Sequence, residues 1–536
     1  MTALSPPAES AAPAPVAPAP AEAPLTQQER TEALTLLASV FLVAACGLIY
    51  ELLLSTISSY LLGSSVTQFS LCIGAFIGAM GLGSYVSQYV RRNLLRLFLS
   101  IEIALSVIGG VSAWALMGAY TFLGEGGYYT ALFGTLALLG GLTGLELPLL
   151  TRLLSRYGAL RTTIAHALSF DYVGALLGSV AFPLLLLPHL GSTRTAFLVG
   201  LLNLGVAAFC IWVFRLRLRA TLRPLALCGI LGALLLTGTV FADRVSGLFE
   251  RRLYEDEILY TRQTPYQRIV ITRFRDDLRL FLDGNLQFSS ADEYRYHEAL
   301  VHPAMLLSAS AERVLVLGGG DGLAVREILK HSGVRDVTLV DIDPAMTRLA
   351  QTYPALVRQN RDSLSDRRVH ILHEDAYKFL ERGTERFGVI VADLPDPNNE
   401  GLAKLYSREF YRLLHRRLGR GGVLVTQATS PLFARDAFWC VAATAESAGF
   451  TTAPYHTYIP TFGDWGFVLA RPKGEQAASL ADLQVPAALP LRFLSSASVA
   501  ALTAFDADSS RVSSAVSTLD FPRILRYYER GARKWE

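Results

Sequence analysis

Residues 34–242 form one long block of apolar sequence, and no other feature limits the fold of this chain as strongly. A helix that crosses a bilayer needs about 20 apolar residues, and seven segments of the block satisfy this requirement. They are centred near Val43, Ala79, Ser106, Leu138, Val180, Leu204 and Leu231. Buried helices of a soluble protein carry polar faces, which these segments lack. We therefore predict a multi-pass α-helical membrane domain over residues 34–243.

Arginines between the segments indicate how this domain is oriented. They occur in three groups, after the second, fourth and sixth segments: Arg91, Arg92 and Arg96; Arg152, Arg156 and Arg161; and Arg215, Arg217, Arg219 and Arg223. The positive-inside rule places such groups in the cytoplasm. With seven spans, the chain after residue 243 then emerges on the opposite side.

Four acidic residues lie within the apolar segments: Glu51, Glu102, Glu146 and Asp171. A charge in lipid is costly, so such residues usually face a bundle interior or a water-filled cavity. Because no Lys or Arg accompanies them, the four acids would suit a cationic ligand. The alternative is that some lie near the membrane interfaces or pair with backbone donors and tyrosine hydroxyls.

The composition changes on both sides of the apolar block. Residues 1–33 are rich in Ala and Pro, which predicts a disordered leader. Lys and Arg number 49 against 46 Asp and Glu, and this balance argues against a nucleic-acid-binding protein. The five cysteines are too few for a disulfide scaffold, and no Cys/His spacing is typical of a zinc site.

The chain is soluble in character from residue 254 onward. Two β-rich runs, at 268–272 and 278–282, predict a small antiparallel sheet within residues 254–310, followed by a helix. Strands and helices then alternate through residues 311–472, which predicts a parallel, doubly wound sheet. Residues 473–536 are rich in Ala and Ser, and we assign them no role.

A glycine-rich turn, Gly-Gly-Gly-Asp-Gly, starts at Gly318 and joins a strand to a helix. Gly318 and Gly320 let the backbone approach a ligand at the carboxyl end of the sheet. Asp341 ends the next strand, where an acid accepts hydrogen bonds from two ribose hydroxyls. Asp375 follows the third strand at the same edge, and we expect it to bind an adenine amino group with Ala376 beside it. The sequence therefore predicts a nucleoside site.

Asp321, inside the turn, restricts the kind of nucleoside. Its carboxylate would repel the pyrophosphate of NAD and also the carboxylate of S-adenosylmethionine. It would attract a sulfonium nucleoside whose side chain ends in a free amine. The charge of this residue points to decarboxylated S-adenosylmethionine.

A second pair of carboxylates follows the fourth strand. Asp393 and Asp396 are three residues apart on a proline-containing loop, where they can hold a cationic amine. An alkylammonium must lose a proton before it attacks carbon, so one of the two acids can serve as the base. Tyr296 and His297 are candidates for the lining of the acceptor site.

Residues 260–470 resemble the spermidine synthases, which are polyamine aminopropyltransferases. The matching motifs are Tyr266-Gln267, LDGNLQ at 282–287, DEYRYHE at 292–298, GGGDG at 318–322 with Arg326-Glu327, DID at 341–343, DLPDP at 393–397 and IPT at 459–461. With its helical block, the chain is similar to the membrane-attached bacterial branch of that family. The resemblance implies an α/β Rossmann-like domain of the class I methyltransferase type, in a homo-oligomer at the bacterial inner membrane.

The resemblance also implies the reaction and a role for each matched residue. An aminopropyl group would pass from decarboxylated S-adenosylmethionine to putrescine, giving spermidine and 5'-methylthioadenosine. The implied roles are Asp393 as general base; Gln267, Asp341, Asp375 and Ala376 around the thioadenosine; Asp321 at the aminopropyl amine; and Gln287, Tyr296, His297 and Asp396 around the acceptor. The donor is a co-substrate, and neither a permanently bound cofactor nor a metal is needed, because the sulfonium is already an activated leaving group.

The sequence departs from the family pattern at the predicted acceptor site and at one residue of the nucleoside site. Leu394 and Pro395 replace small polar residues, Asp341 replaces a Glu, and Phe462 replaces a Tyr. The acceptor therefore stays open between putrescine and related polyamines.

Two other functions and one question of location also stay open. Asp321 argues against an S-adenosylmethionine-dependent methyltransferase, and Asp393 argues against a polyamine transporter or sensor whose nucleoside-binding domain does no chemistry. The arginine groups favour a catalytic domain outside the cytoplasm. The donor is a cytosolic metabolite, and on that chemical ground we expect the domain on the cytoplasmic side.

Overall fold

A computed structural model describes residues 25–62, 65–158, 160–218, 220–254, 256–475 and 479–533. Residues 1–24 of the predicted leader and Arg219 of the third arginine group lie outside the described residues. The first part of the chain is a helical domain. Its helices are α1 (Gln27–Leu62), α2 (Ser65–Val86), α3 (Leu94–Leu154), α4 (Leu160–Ala181), α5 (Leu187–Val213) and α6 (Leu222–Tyr254).

The seven predicted segments occupy fewer, longer helices than the sequence suggested. Among the described residues, five helical stretches are long and apolar enough to cross a bilayer. Two of these stretches, Leu94–Leu154 and Arg161–Val213, contain two predicted segments each. The first stretch is interrupted at Gly124 (φ 69°, ψ −168°) and the second at Gly191 (φ 70°, ψ 176°). Only glycine adopts such angles without strain. The glycines therefore break each long helix where the sequence predicted a loop.

The first helix begins earlier than predicted, at Gln27 instead of after residue 33. Glu32 is completely buried, and its carboxylate accepts hydrogen bonds from Arg217 (Nε, 3.1 Å) and the Tyr157 hydroxyl (2.7 Å). At the same end, Arg152 donates to the carbonyls of Val90 and Ser87, both at 2.8 Å. These polar contacts tie Glu32 to the helical domain and place Arg152 and Arg217 at the end where α1 begins.

The opposite end of the helical domain adjoins the second part of the chain. Helix α6 continues past the predicted boundary at 243 to Tyr254, and a small antiparallel sheet starts directly after it. Its strands, paired in the order β1-β2-β3-β4, are β1 (Glu257–Gln263), β2 (Arg268–Phe274), β3 (Asp277–Leu282) and β4 (Asn285–Ser289). Helix α7 (Glu293–Leu307) follows.

Strands and helices alternate in the remainder of this part. They are β5 (Arg313–Gly318), α8 (Leu323–Ile328), β6 (Asp336–Asp341), α9 (Pro344–Thr352), α10 (Pro354–Asn360), β7 (Val369–His373), α11 (Ala376–Arg382), β8 (Phe387–Asp393), α12 (Glu400–Ala403), α13 (Arg408–Arg417), β9 (Leu418–Gln427), α14 (Arg435–Ser447), β10 (Phe450–Ile459), β11 (Gly463–Pro472), α15 (Ser496–Ala501) and α16 (Arg523–Ala532). The alternation is that of the predicted Rossmann-like domain.

The large sheet has the strand order β10-β11-β9-β8-β5-β6-β7. Strands β5 to β9 are parallel, whereas β10 and β11 form an antiparallel pair at one edge. The strand order reverses between β5 and β8, and the crevice outside the carboxyl ends at such a point is the usual ligand site of an open α/β sheet.

The sequence analysis assigned no role to residues 473–536, and their described part, 479–533, packs against both faces of this domain. Leu494 is part of the hydrophobic core, together with Ile524 and Leu525 of α16. The fully buried carboxylate of Glu298, in α7, accepts hydrogen bonds from the backbone N–H groups of residues 492–494 at 2.7 to 2.9 Å. The C-terminal segment is therefore built into the α/β domain.

Candidate active site

The two predicted halves of the site meet at the reversal of strand order. Gly318, at the end of β5, lies opposite Asp393, at the end of β8, in the register of the parallel pair. Gly318 has a φ of 76°, and a Cβ atom on it would lie 2.1 Å from the Asp393 carbonyl oxygen. A Cβ on Gly320 would lie 2.4 Å from the carboxylate of Asp341. Glycine is thus required at both positions for this close approach.

Asp321 and Asp393 face the same space at this edge. Both side chains are half-buried. Burial raises the pKa of Asp321 to about 6, opposed by the charge of His297 and assisted by that of Asp393. Burial also raises the pKa of Asp393, although His297 and Tyr296 act in the opposite direction. Two half-buried acids this close together have the charge that a cationic ligand would require.

Tyr296 orients Asp393. The Tyr296 side chain is 8% exposed, and its hydroxyl donates a 2.8 Å hydrogen bond to Oδ1 of Asp393. Its ring lies beside Phe462, with 6.4 Å between ring centroids, and Phe462 in turn packs on Trp465 at 5.2 Å. The buried indole N–H of Trp465 has no hydrogen-bond partner. Oδ2 of Asp393 is left available to accept a proton.

Asp396 has partners that the sequence analysis missed. The side-chain amide of Gln427, at the end of β9, donates to Oδ1 of Asp396 at 3.2 Å, and the hydroxyl of Tyr528, in α16, also hydrogen-bonds this carboxyl group. Burial raises the pKa of Asp396 to about 6, and both hydrogen bonds oppose that rise. Gln427 ends the strand beside β8, so the strand-end rule that identified Asp393 would also have identified it.

His297 lies behind the site. Its Nδ1 donates to Oε2 of Glu293 at 2.8 Å, and the side chain is 3% exposed. Burial alone would lower the pKa of His297, but the hydrogen bond and charge of Glu293 raise it to about 9. Arg326 forms two further 2.9 Å bonds with the two carboxylate oxygens of Glu293. His297 is therefore a buried cation close to the two acids, and the sequence analysis gave Glu293 and Arg326 no role.

The predicted ribose side of the site is organised around two acids, Asp341 at the end of β6 and Asp343 at the N-cap of α9. Asp341 accepts a 2.8 Å hydrogen bond from the backbone N–H of Asp343, and burial raises its pKa to about 6. Asp343 itself accepts hydrogen bonds from the amide of Gln267 (3.0 Å) and the hydroxyl of Thr264 (2.8 Å). Gln267 is thereby held at the edge where the nucleoside is predicted to bind.

Asp375 has more partners than the sequence indicated. Its Oδ1 accepts the backbone N–H groups of Tyr377 and Lys378, which makes it the N-cap of α11, and its Oδ2 accepts a 2.6 Å bond from Nζ of Lys404. Ala376 is the first residue of the helix. The contact with Lys404 was not foreseen, and adenine recognition by Asp375 stays a prediction.

Gln287 lies in β4, and its side-chain amide donates to the carbonyl of Asn285 in the same strand at 3.1 Å. Its contact with the acceptor stays a prediction. The structure thus brings the glycine turn, Asp321 and Asp393 together at one edge of the sheet, while their roles as nucleoside edge, cation receptor and base stay predictions.

Comparisons with known proteins match one family, and the matching relatives cover most of the chain. A family model described as "Spermine/spermidine synthase domain" matches residues 293–481. "Polyamine aminopropyltransferase" of Leptospira interrogans (strain Fiocruz L1-130) is 45% identical over 495 residues, covering 92% of this chain and 97% of the relative. "Polyamine aminopropyltransferase 2" of Ralstonia nicotianae is 46% identical over 508 residues, covering 93% and 98%.

One solved structure is also similar to part of the chain. It is described as "Crystal Structure of Spermidine Synthase in Complex with Transition State Analogue AdoDATO". The TM-score is 0.42 at 25% identity, covering 47% of this chain and 86% of that one.

Proposed function

The chain belongs to the polyamine aminopropyltransferases, and we propose that it transfers an aminopropyl group from decarboxylated S-adenosylmethionine to putrescine. The products are spermidine and 5'-methylthioadenosine. The observation that carries this proposal is the convergence of Asp321 and Asp393 at one point of the sheet edge, beside the glycine turn. An acid inside the nucleoside turn suits a donor that ends in an amine, and the second acid suits an amine nucleophile.

Two of the acids bind the substrates, and the third takes part in proton transfer. Asp321 holds the terminal ammonium of the donor, while Asp396 holds the distal ammonium of the acceptor. Asp393 accepts the proton of the reacting amine, whose nitrogen attacks the carbon next to the sulfonium. The carbon–sulfur bond breaks, and its electron pair stays on sulfur as the neutral thioether. Positioning and deprotonation supply most of the rate enhancement, because the leaving group is already activated.

Release of methylthioadenosine by the purified full chain in detergent tests this function. Decarboxylated S-adenosylmethionine is supplied with putrescine, cadaverine or spermidine, and we expect turnover with putrescine to be fastest. Turnover with intact S-adenosylmethionine instead would indicate a methyltransferase. Tight donor binding without turnover on any amine would indicate a sensor or transporter.

Donor affinity should depend on pH through Asp321. The pKa of Asp321 is raised to about 6, so the carboxyl is protonated below that pH and loses its attraction for the donor ammonium. We expect the ratio of the Kd of decarboxylated S-adenosylmethionine to that of methylthioadenosine to rise about tenfold or more from pH 7.5 to 5. Methylthioadenosine lacks the amine, so the ratio cancels the contribution of Asp341.

Calorimetric titration of both ligands across this pH range measures the ratio. In the Asp321→Asn variant the ratio should be independent of pH. A ratio that stays constant in the unaltered protein would exclude Asp321 as the amine receptor.

We also propose that the helical domain lies in a lipid bilayer, as a multi-pass domain of the bacterial inner membrane, and that the chain forms a homo-oligomer. Large apolar side chains on the outer helix surfaces support the first part: Ile77 is 58% exposed, Leu176 60% and Leu234 62%. Contiguous surfaces of this kind are unfavourable in water. The bilayer location is tested by whether the protein stays in solution only with detergent. The homo-oligomer is tested by whether the mass of the purified particle corresponds to more than one chain.

The donor is a cytosolic metabolite, and on that ground we propose that the catalytic domain faces the cytoplasm. This placement opposes the positive-inside rule, because Arg152 and Arg217 lie near the start of α1, at the other end of the helical domain. A fluorescent protein fused after residue 536 should therefore fluoresce. Activity of alkaline phosphatase fused at the same position would place the domain outside.

A second candidate function is passage of amine cations through the helical domain. Glu102 and Glu146, in α3, are buried, and their carboxyl groups hydrogen-bond each other and no other described group. Glu51 is also buried, while Asp171 is half-buried. If the acids conduct cations, replacing all four by their amides should abolish spermidine flux in proteoliposomes. Unchanged flux would exclude this function.

A further inference from the structure

A large cavity lies between the helical domain and the catalytic domain. Its volume is about 770 Å³, within the size range of small-molecule sites. The helical side includes Tyr60, Tyr120 and Glu125, at the ends of helices and at the Gly124 break. The catalytic side includes Asp283, Tyr528 and Glu529. The cavity, which we call the interdomain chamber, is thus lined by the helical domain on one side. On the other side it is lined by the small sheet, the loops and the C-terminal helix of the catalytic domain.

The chamber adjoins the acceptor end of the candidate active site. Tyr528 lines the chamber and also hydrogen-bonds the carboxyl group of Asp396, so one side chain contacts both spaces. Asn398, two residues after Asp396, is part of the wall. The nucleoside edge at residues 318–322 does not contribute to this wall. A molecule in the chamber is therefore close to Asp396, with Tyr528 between them.

The lining fits a linear aliphatic amine. It carries three carboxylates, Glu125, Asp283 and Glu529, against two guanidinium groups, those of Arg268 and Arg533. Tyrosine rings attract ammonium groups through their faces, and the apolar part of the wall suits the methylene groups between them. A polyamine has this alternation of charge and hydrocarbon.

We propose that this interdomain chamber is a binding site for linear polyamines, through which the acceptor reaches Asp396 and the product leaves. The proposal rests on the proposed function for the chemistry at Asp393, but binding in the chamber does not require turnover. Tyr528 is then a positioning residue, which holds Asp396 at the boundary between chamber and active site.

Two kinds of variant test the chamber. Glu125→Gln combined with Glu529→Gln removes two carboxylates outside the catalytic machinery, and we expect the KM for putrescine to rise about tenfold or more. The kcat and the KM for the donor should stay unchanged. Glu381→Gln, an exposed acid on α11, is the matched control and should change none of the three.

Direct binding is measured without the donor. All five natural cysteines are buried, so a Glu125→Cys variant offers one accessible thiol for maleimide labelling. We expect spermidine to slow its labelling, while sodium chloride of equal ionic strength should not. An enzyme that turns over putrescine but shows neither the KM change nor the protection would overturn the chamber and leave the proposed function intact. Protection without turnover on any amine would retain the chamber and reject the function.

Discussion

Replacing Asp393 by Asn should lower the rate of methylthioadenosine release by about 10²- to 10⁴-fold, the range for loss of a general base. Asn retains the shape of the side chain and can still accept the 2.8 Å hydrogen bond from Tyr296, but it cannot take the proton of the amine. The Kd of the donor should change little, because Asp321 and the glycine turn remain.

The variant should fold at least as well as the natural protein. The pKa of Asp393 is raised in the folded state, so ionisation at neutral pH opposes folding, and a neutral amide removes that cost. Single-turnover rates and the Tm together separate chemistry from stability. Asp276→Asn, in the exposed turn between β2 and β3, is the control. A loss of less than about tenfold would mean that the base lies elsewhere, with Asp396 as the next candidate.

Replacing Glu293 by Gln should cause the largest loss of stability. Glu293 is 1% exposed and lies between two buried cations. Its carboxylate accepts a 2.8 Å hydrogen bond from His297 and two 2.9 Å hydrogen bonds from Arg326. Breaking such a buried pair leaves uncompensated charge and costs about 3–5 kcal/mol. For a domain of this size the Tm should fall by about 10 °C.

The loss should depend on pH in a defined direction. The pKa of His297 is raised to about 9, so its stabilisation is complete below its ordinary pKa of 6.5 and is lost as the pH rises through about 9. The pKa of Glu293 is lowered to about 2, so its stabilisation is complete above 4.5 and is lost as the pH falls through about 2. The difference in Tm between natural protein and variant is therefore expected to be greatest between pH 4.5 and 6.5.

Thermal unfolding of the full chain in detergent at several pH values measures this difference. Glu312→Gln removes an exposed ion pair with Arg335 and should change the Tm by no more than about 2 °C. Glu293→Asp retains the charge and should recover part of the loss. If Glu293→Gln unfolds at the temperature of the natural protein, the three-residue network contributes no net stability.

Local patterns were sufficient to predict much of the catalytic domain. The glycine turn, Asp341 and Asp393 all follow strands, and the carboxyl ends of parallel strands share one edge of a sheet. The predicted strand ends at 341 and 393 agree with those observed. The antiparallel pair β10 and β11 was not predicted, because the period of a buried strand carries no information about its direction.

The interruptions of the helical domain were predicted less well. Hydropathy located the apolar segments, since about 20 such residues are enough to cross a bilayer. It could not show that α3 continues to Leu154 with a break at Gly124, because a glycine in an apolar run is compatible with either a helix or a turn. Nor could it show that α6 runs on to Tyr254, because the helix continues about ten residues beyond the last apolar segment.

The sequence by itself determined the division into an apolar and an α/β part, and it placed the glycine turn, Asp341 and Asp393 at the ends of strands. These depend on residues close together in the chain, where periodicity and charge act directly. Only the tertiary structure joined Tyr296 to Asp393 across 97 residues, Lys404 to Asp375, and Tyr528 to Asp396. It also decided that the C-terminal segment borders a chamber shared with the helical domain. Such contacts depend on how distant elements pack, and no local pattern records which side chains that packing brings together.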